Sequence, residues 1–254
     1  MRIHPLFITL MFLAAQTTFA QSNSLRVMSS NGVKGVIEEI RSQCEKAAGR
    51  PLAIDFNTSA SVRQRIQSGE SFDVAILTSE VIDELIKAGK IASAGRVDLA
   101  RSGLGFGIRA GSKKPDVSTP ETVKRTLLGA KSITYVAEGA SRIHIEKMLN
   151  DLAITNEMKP KTVLTKGADE ATQVVADGKV EMVLTLISEI VPAHGLELIG
   201  PFPAKYQSYV RFSAGLSPTS KNTDAAKAFA QFLTSPAVAP TFKAKGMERM
   251  SPVK

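Results

Sequence analysis

Short apolar runs alternate along this chain with segments of helical spacing, and that alternation restricts the fold more than any single motif does. Residues 25–28 read as a strand, and 33–48 as a helix closed by Gly49. Residues 52–56 read as a strand, 61–67 as a helix ending at Gly69, 72–77 as a strand, and 80–87 as a helix stopped by Gly89. Apolar strand runs, serine or threonine starts and glycine stops carry these assignments. Repetition of this kind builds βαβ units around parallel strands covered on both faces, so an α/β class is expected.

The pattern breaks at 91–102, where periodicity is weak, and resumes with a glycine-rich strand at 104–109 and a loop at 111–118. Thr119-Pro120-Glu121 then marks a helix start, a capping residue followed by proline at the first helical position. Strands are expected at 133–137, 162–165 and 182–186, with helices at 141–152 and 169–176. Returning strands at 196–199 and 210–216 and closing helices at 224–233 and 238–245 complete the chain. This grouping predicts two α/β lobes, one from 21–102 with 203–254 and the other from 103–202. Two chain crossings between them form a hinge, and the cleft lies at the carboxyl ends of the strands.

Residues 1–20 read as a secretory signal. Arg2 supplies the positive start, 3–15 the apolar run, and Thr18-Phe19-Ala20 a small residue suited to cleavage. The apolar run is too short and wrongly flanked for a bilayer span. The mature chain is expected in the periplasm, or secreted, as a monomer.

Cys44 is the only cysteine of the 254 residues, so no internal disulfide can form. It continues the helical spacing of Val36, Ile37 and Ile40, which makes it a small buried hydrophobe rather than a reactive thiol. Three histidines and one cysteine offer no cluster at metal-ligand spacing, and neither metal nor cofactor is expected. The formal charge of +8 becomes +7 without Arg2, but Lys and Arg are interleaved with Asp and Glu. No basic run or aromatic stacking motif accompanies them, so nucleic acid is not the expected partner. A mild positive field suits the attraction of a small anion. Gly103-Leu104-Gly105-Phe106-Gly107 begins a strand rather than a strand-to-helix turn, which excludes a dinucleotide fingerprint and marks a close backbone approach instead. Neither a nucleophile elbow nor a phosphate loop is present.

Three loops follow strands and open helices: Ser29-Ser30-Asn31, Asn57-Thr58-Ser59-Ala60-Ser61 and Glu138-Gly139-Ala140-Ser141-Arg142. Each joins hydroxyls to the unpaired N–H groups of a helix start, which either cap the helix alone or also hold an anion. Ser30, Asn31, Thr58, Ser59, Ala140 and Ser141 are the candidate contacts. Arg142 at a helix start opposes the dipole; its fork either balances a bound carboxylate or lies along the surface. Arg101, near the first crossing, faces either the cleft or the surface.

The Ser-Ser-Asn turn, the Asn-Thr-Ser-Ala-Ser loop, Phe72-Asp73-Val74-Ala75-Ile76 and Ala226…Phe229-Ala230-Gln231-Phe232-Leu233-Thr234-Ser235-Pro236 resemble the periplasmic molybdate-binding protein family across nearly the whole mature chain. That resemblance implies a type II periplasmic binding protein fold, an oxyanion held between two lobes, and the membrane subunits of an ABC transporter as partner. It places anion contacts on Ser30, on Ser59 and on the backbone of Ala140. The family's tyrosine falls near Leu186, before Ser188-Glu189; this departure and Arg142 bring organic carboxylates into consideration beside molybdate. The chain is also similar to the periplasmic aconitate isomerases, built on the same scaffold and needing no cofactor. Isomerisation requires a base that moves an allylic proton, for which Glu138, His144 and Glu189 are the available residues.

Overall fold

The structure, a computed structural model, describes residues 23–250; the expected signal at 1–20 lies outside them. β1 (Leu25–Ser30) turns into α1 (Lys34–Glu39) and α2 (Arg41–Ala48), followed by β2 (Leu52–Asn57), α3 (Ser59–Gln67), β3 (Val74–Thr78) and α4 (Ser79–Lys87). A long strand, β4 (Val97–Arg109), precedes α5 (Pro120–Gly129), β5 (Ile133–Val136), α6 (Arg142–Asp151), α7 (Thr155–Met158) and β6 (Thr162–Thr165). Then come α8 (Ala168–Ala176), β7 (Met182–Leu186), α9 (Ile187–Ile190), β8 (Leu196–Pro201) and β9 (Tyr209–Leu216). α10 (Thr223–Phe232), α11 (Ala239–Ala244) and β10 (Glu248–Arg249) close the described chain.

The strands form one hydrogen-bonded path, β2-β1-β3-β9-β4-β7-β5-β6, with β8 and β10 paired to β4. β1 is parallel to β2 and β3, and β5 to β6 and β7, because helices carry the chain across between them. β3 and β7 are buried along their whole length, as strands covered by helices on both faces must be. β9 runs antiparallel to β3 and to β4.

β4 joins the two halves of this path. Its residues 97–103 pair with β9, whereas 104–109 pair with β7 on one side and β8 on the other. At the changeover the Leu104 N–H donates to Gln207 Oε1 at 2.8 Å, and Gln207 Nε2 donates to the Leu104 carbonyl at 3.0 Å. A side-chain amide thus replaces the missing strand partner. The glycine-rich run lies in this strand: a Cβ on Gly105 or Gly107 would come within 2.8 Å of Leu198 or Val183, so the close approach expected there is present.

Two expectations need correction. Residues 97–102 are strand, not an aperiodic stretch. A register shift between Asp98 and Ala100 breaks the alternation, and the outward side chains Asp98 and Arg101 are occupied by Ser213 and Glu248. The helix expected at 33–48 is divided at Ile40, whose φ of −106° and ψ of 17° leave the helical region and turn α2 onto α10. α7, α9 and β10 are too short to register as periodic patterns.

Asp73, buried just before β3, ties three segments together. It accepts from the Arg26 N–H at 2.8 Å, from Ser220 Oγ at 2.5 Å and from Asn222 Nδ2. Cys44 is fully buried on α2, and that burial pushes its thiol up to about 12, so it is unreactive at neutral pH.

Candidate functional site

The loops after β1, β2 and β5 converge on one cavity, joined by the start of α8 and the residues just after β7. Ser30 ends β1 and caps the turn that follows: the Gly32 N–H donates to its Oγ at 3.3 Å. That turn needs glycine, because a Cβ on Gly32 would lie 2.3 Å from the Phe212 ring. Thr58 caps α3, its Oγ1 accepting from the Ser61 N–H at 3.1 Å. Ser59 Oγ accepts from the Thr78 N–H at 3.0 Å and so fixes the α3 start to the end of β3.

These three buried hydroxyls share one property. Each oxygen already accepts a backbone N–H, and among the described residues none donates its own proton to a protein acceptor. All three line the cavity, which leaves three O–H donors waiting for an acceptor there.

From the other half of the sheet, residues 138–141 form a tight turn. The Gly139 N–H donates to the Val136 carbonyl and the Arg142 N–H to the Gly139 carbonyl. Ser141 is buried at the cavity wall but makes no side-chain cap, since its own backbone is helical. Gly139, Ala140 and Ser141 all line the cavity.

The cavity is small, about 20 Å³ on a scale where one water needs about 10–15 Å³. Among the described residues Glu189 is the only ionisable group lining it, and the same residue lines an adjoining cavity of about 280 Å³ with Lys34, Asp169 and His194. Thr185 Oγ1 and the Leu186 N–H donate to the Glu189 carboxylate. Burial outweighs these bonds and raises its pKa to about 7. At the rim, Lys34 of α1 and Asp169 of α8 pair at 2.7 Å, one residue from each half.

Three candidate site residues, Arg142, Glu138 and His144, lie elsewhere, as does Arg101, for which the sequence leaves cleft and surface both open. Arg142 does not line the cavity; its guanidinium donates to Glu146 at 2.8 Å and to the Ala137 carbonyl at 2.6 Å, an i,i+4 pair that holds it along its own helix. Glu138 is exposed and outside the lining. His144 lies with Nε2 3.5 Å from Ser208 Oγ, and burial lowers its pKa despite the opposing pull of Glu80. Arg101 pairs with Glu248 and stacks on the Tyr209 ring. Sequence reasoning missed Val136 and Ala168 in the wall. Ala168 had a readable signal, since Gly167-Ala168-Asp169 is a fourth strand-to-helix loop; Val136 had none that separates it from core.

A mixed α/β sheet with flanking helices and a polar cavity at the strand ends is the type II periplasmic binding protein fold, shared with the structural neighbours. The chain belongs to the bacterial extracellular solute-binding protein family, whose model matches residues 25–248. It is 28% identical to an aconitate isomerase from Pseudomonas sp. over 234 residues, 89% of this chain and 87% of that one. It is 20% identical to molybdate-binding protein ModA of Escherichia coli (strain K12) over 241 residues, 93% of each chain. Among solved structures, the periplasmic molybdate-binding protein of Azotobacter vinelandii superposes with a TM-score of 0.76 at 19% identity, covering 91% of this chain and all of that one.

Proposed function

We propose that this protein is a periplasmic, monomeric solute-binding protein that holds a small anion between two lobes, 21–102 with 203–254 and 103–202. In this reading it delivers the anion to the membrane subunits of an ABC transporter, after residues 1–20 have directed its export. The observation that carries the reading is the convergence of Ser30, Thr58 and Ser59, three hydroxyls with free protons and no acceptor among the described residues, in one cavity. An anion is the ligand that uses every one of those donors. Asn31, Ala140 and Ser141 complete the contact set, and contacts from both halves favour the closed form over the open one.

A second reading, isomerisation of an unsaturated tricarboxylate, is favoured by Glu189 and by the aconitate isomerase likeness. A carboxyl with a pKa of about 7 at the cavity wall suits a general base that takes an allylic proton and returns it at the far end of the same three-carbon unit. The placements of Glu138 and His144 leave Glu189 as the candidate for that role.

Proton NMR in heavy water separates the readings. The protein is mixed in turn with trans-aconitate, citrate and related di- and tricarboxylates, with molybdate as competitor. Broadening of ligand signals without turnover, reversed by molybdate, supports the oxyanion binder. New product signals or deuterium entering the ligand establish the isomerase and send the assay to Glu189→Gln. Absence of any interaction with all these anions overturns both.

A further inference from the structure

An anion cavity whose only ionisable wall residue is an acid poses an electrostatic problem. An anion seated against an ionised Glu189 meets like charge in a partly desolvated space, with no cation in the wall to offset it. The groups around Glu189 do not supply one. On α8, Asp169 carries negative charge; on α1, Lys34 is already paired with Asp169, and Glu38 is acidic; beyond α9, His194 lines only the adjoining cavity. β4, β7 and β8 contribute no charged residue to either cavity.

We infer that the site takes up its anion together with one proton, held either on Glu189 or on the ligand, so that hydrogen-bearing oxyanions are retained where aprotic dianions are lost. The inference rests on the anion reading above and names its ligand class. Once protonated, Glu189 turns from a repelling group into a further donor beside the Ser30, Thr58, Ser59 and Ser141 hydroxyls. When it is ionised, a ligand that carries its own O–H can donate to it instead. Its raised pKa means that the choice falls in the neutral range. Thr185, which donates to the carboxylate, sets how tightly the ionised form is held.

The test is calorimetric titration of the protein with molybdate, sulfate and inorganic phosphate between pH 7 and 9, with trans-aconitate as a proton-free trianion. Inorganic phosphate keeps a proton throughout this range. The expected result is that Kd for molybdate, sulfate and trans-aconitate rises by about tenfold per pH unit, the slope of one coupled proton. Between pH 8 and 9, where inorganic phosphate is almost wholly the monohydrogen dianion, its affinity should change by less than about threefold. Close to one proton should be taken up per molybdate at pH 8, read from the heats in buffers of different ionisation enthalpy. Glu189→Gln should make molybdate binding independent of pH and remove the advantage of phosphate. Should that variant fail to fold, Thr185→Val keeps the test decisive. Losing a donor to the ionised carboxylate shifts the fall in molybdate affinity to higher pH, whereas a merely structural Thr185 would leave its position unchanged. Flat molybdate affinity in the unmodified protein, or zero proton uptake, overturns the inference and leaves the anion site standing. Failure of all four anions to bind at pH 7 overturns the anion reading itself.

Discussion

The two sides of the cavity are built on different principles. On the side of β1 and β2, Ser30, Thr58 and Ser59 sit at regular cap or anchor positions, each oxygen fixed by a backbone N–H before any ligand arrives. On the side of β5 and β7, the 138–141 turn holds Ser141 without a cap, and Glu189 brings the one charge that can change. The first wall offers permanent, neutral donors at low reorganisation cost; the second offers a donor set that responds to pH. Under the proposed anion reading, affinity would come from the rigid wall and selectivity from the titrating one.

That division can be broken by experiment. The largest effect belongs to the titrating wall. Because the pKa of Glu189 in the folded chain, about 7, lies above its ordinary value of 4.5, the folded protein keeps a proton that the unfolded chain has released between those two pH values. Stability of the ligand-free protein should therefore be greatest below pH 4.5 on this account and fall, by up to roughly 3 kcal/mol, as pH rises to about 7. Urea titrations of Glu189→Gln should lack that component. A matching slope in the variant would move the titrating group elsewhere.

Next comes the rigid wall. Ser59→Ala deletes a donor to the anion and strands the Thr78 N–H, which should weaken binding by roughly 10- to 100-fold in calorimetry. Ser141→Ala, on a hydroxyl that no cap holds, should cost only about fivefold, near the lower end for one hydrogen bond. Equal losses in the two variants would erase the distinction between the walls. The smallest effect is expected for Arg142→Ala. It loses an exposed i,i+4 pair worth about 0.5 kcal/mol of stability, and anion affinity should stay within about twofold. A large drop in affinity would mean that Arg142 abandons Glu146 for the ligand.

The rigid wall was legible from the amino-acid order because its chemistry is local. A hydroxyl residue between an apolar strand run and a helical segment caps that helix wherever the chain goes, and the bound N–H groups lie within three residues for Ser30 and Thr58. Arg142 misled for the same reason read in reverse: its departure from cap chemistry is explained by Glu146, one turn along the same helix. Glu189 was visible as a residue type but not as the ionisable residue of the cavity wall. Its environment is assembled from β1, β7 and α8, and α9 itself is too short to show a face. β4 was half hidden, since a strand that serves two neighbours on different sides, with a register shift between, does not alternate as an ordinary strand does.

β4 also sets how the cleft can move. A pin joint lets two bodies turn freely, but here a single strand is shared, and its 13 residues run through both halves of the sheet. In the proposed two-lobed reading, opening would be absorbed as flexure of that strand near Gly103 and Leu104, where Gln207 grips the backbone with two hydrogen bonds. The molecule is in mechanical terms a leaf spring with a clamp at its midpoint. In the same two-lobed reading, such a pivot would return toward its rest angle after every excursion and give the empty cleft a preferred aperture.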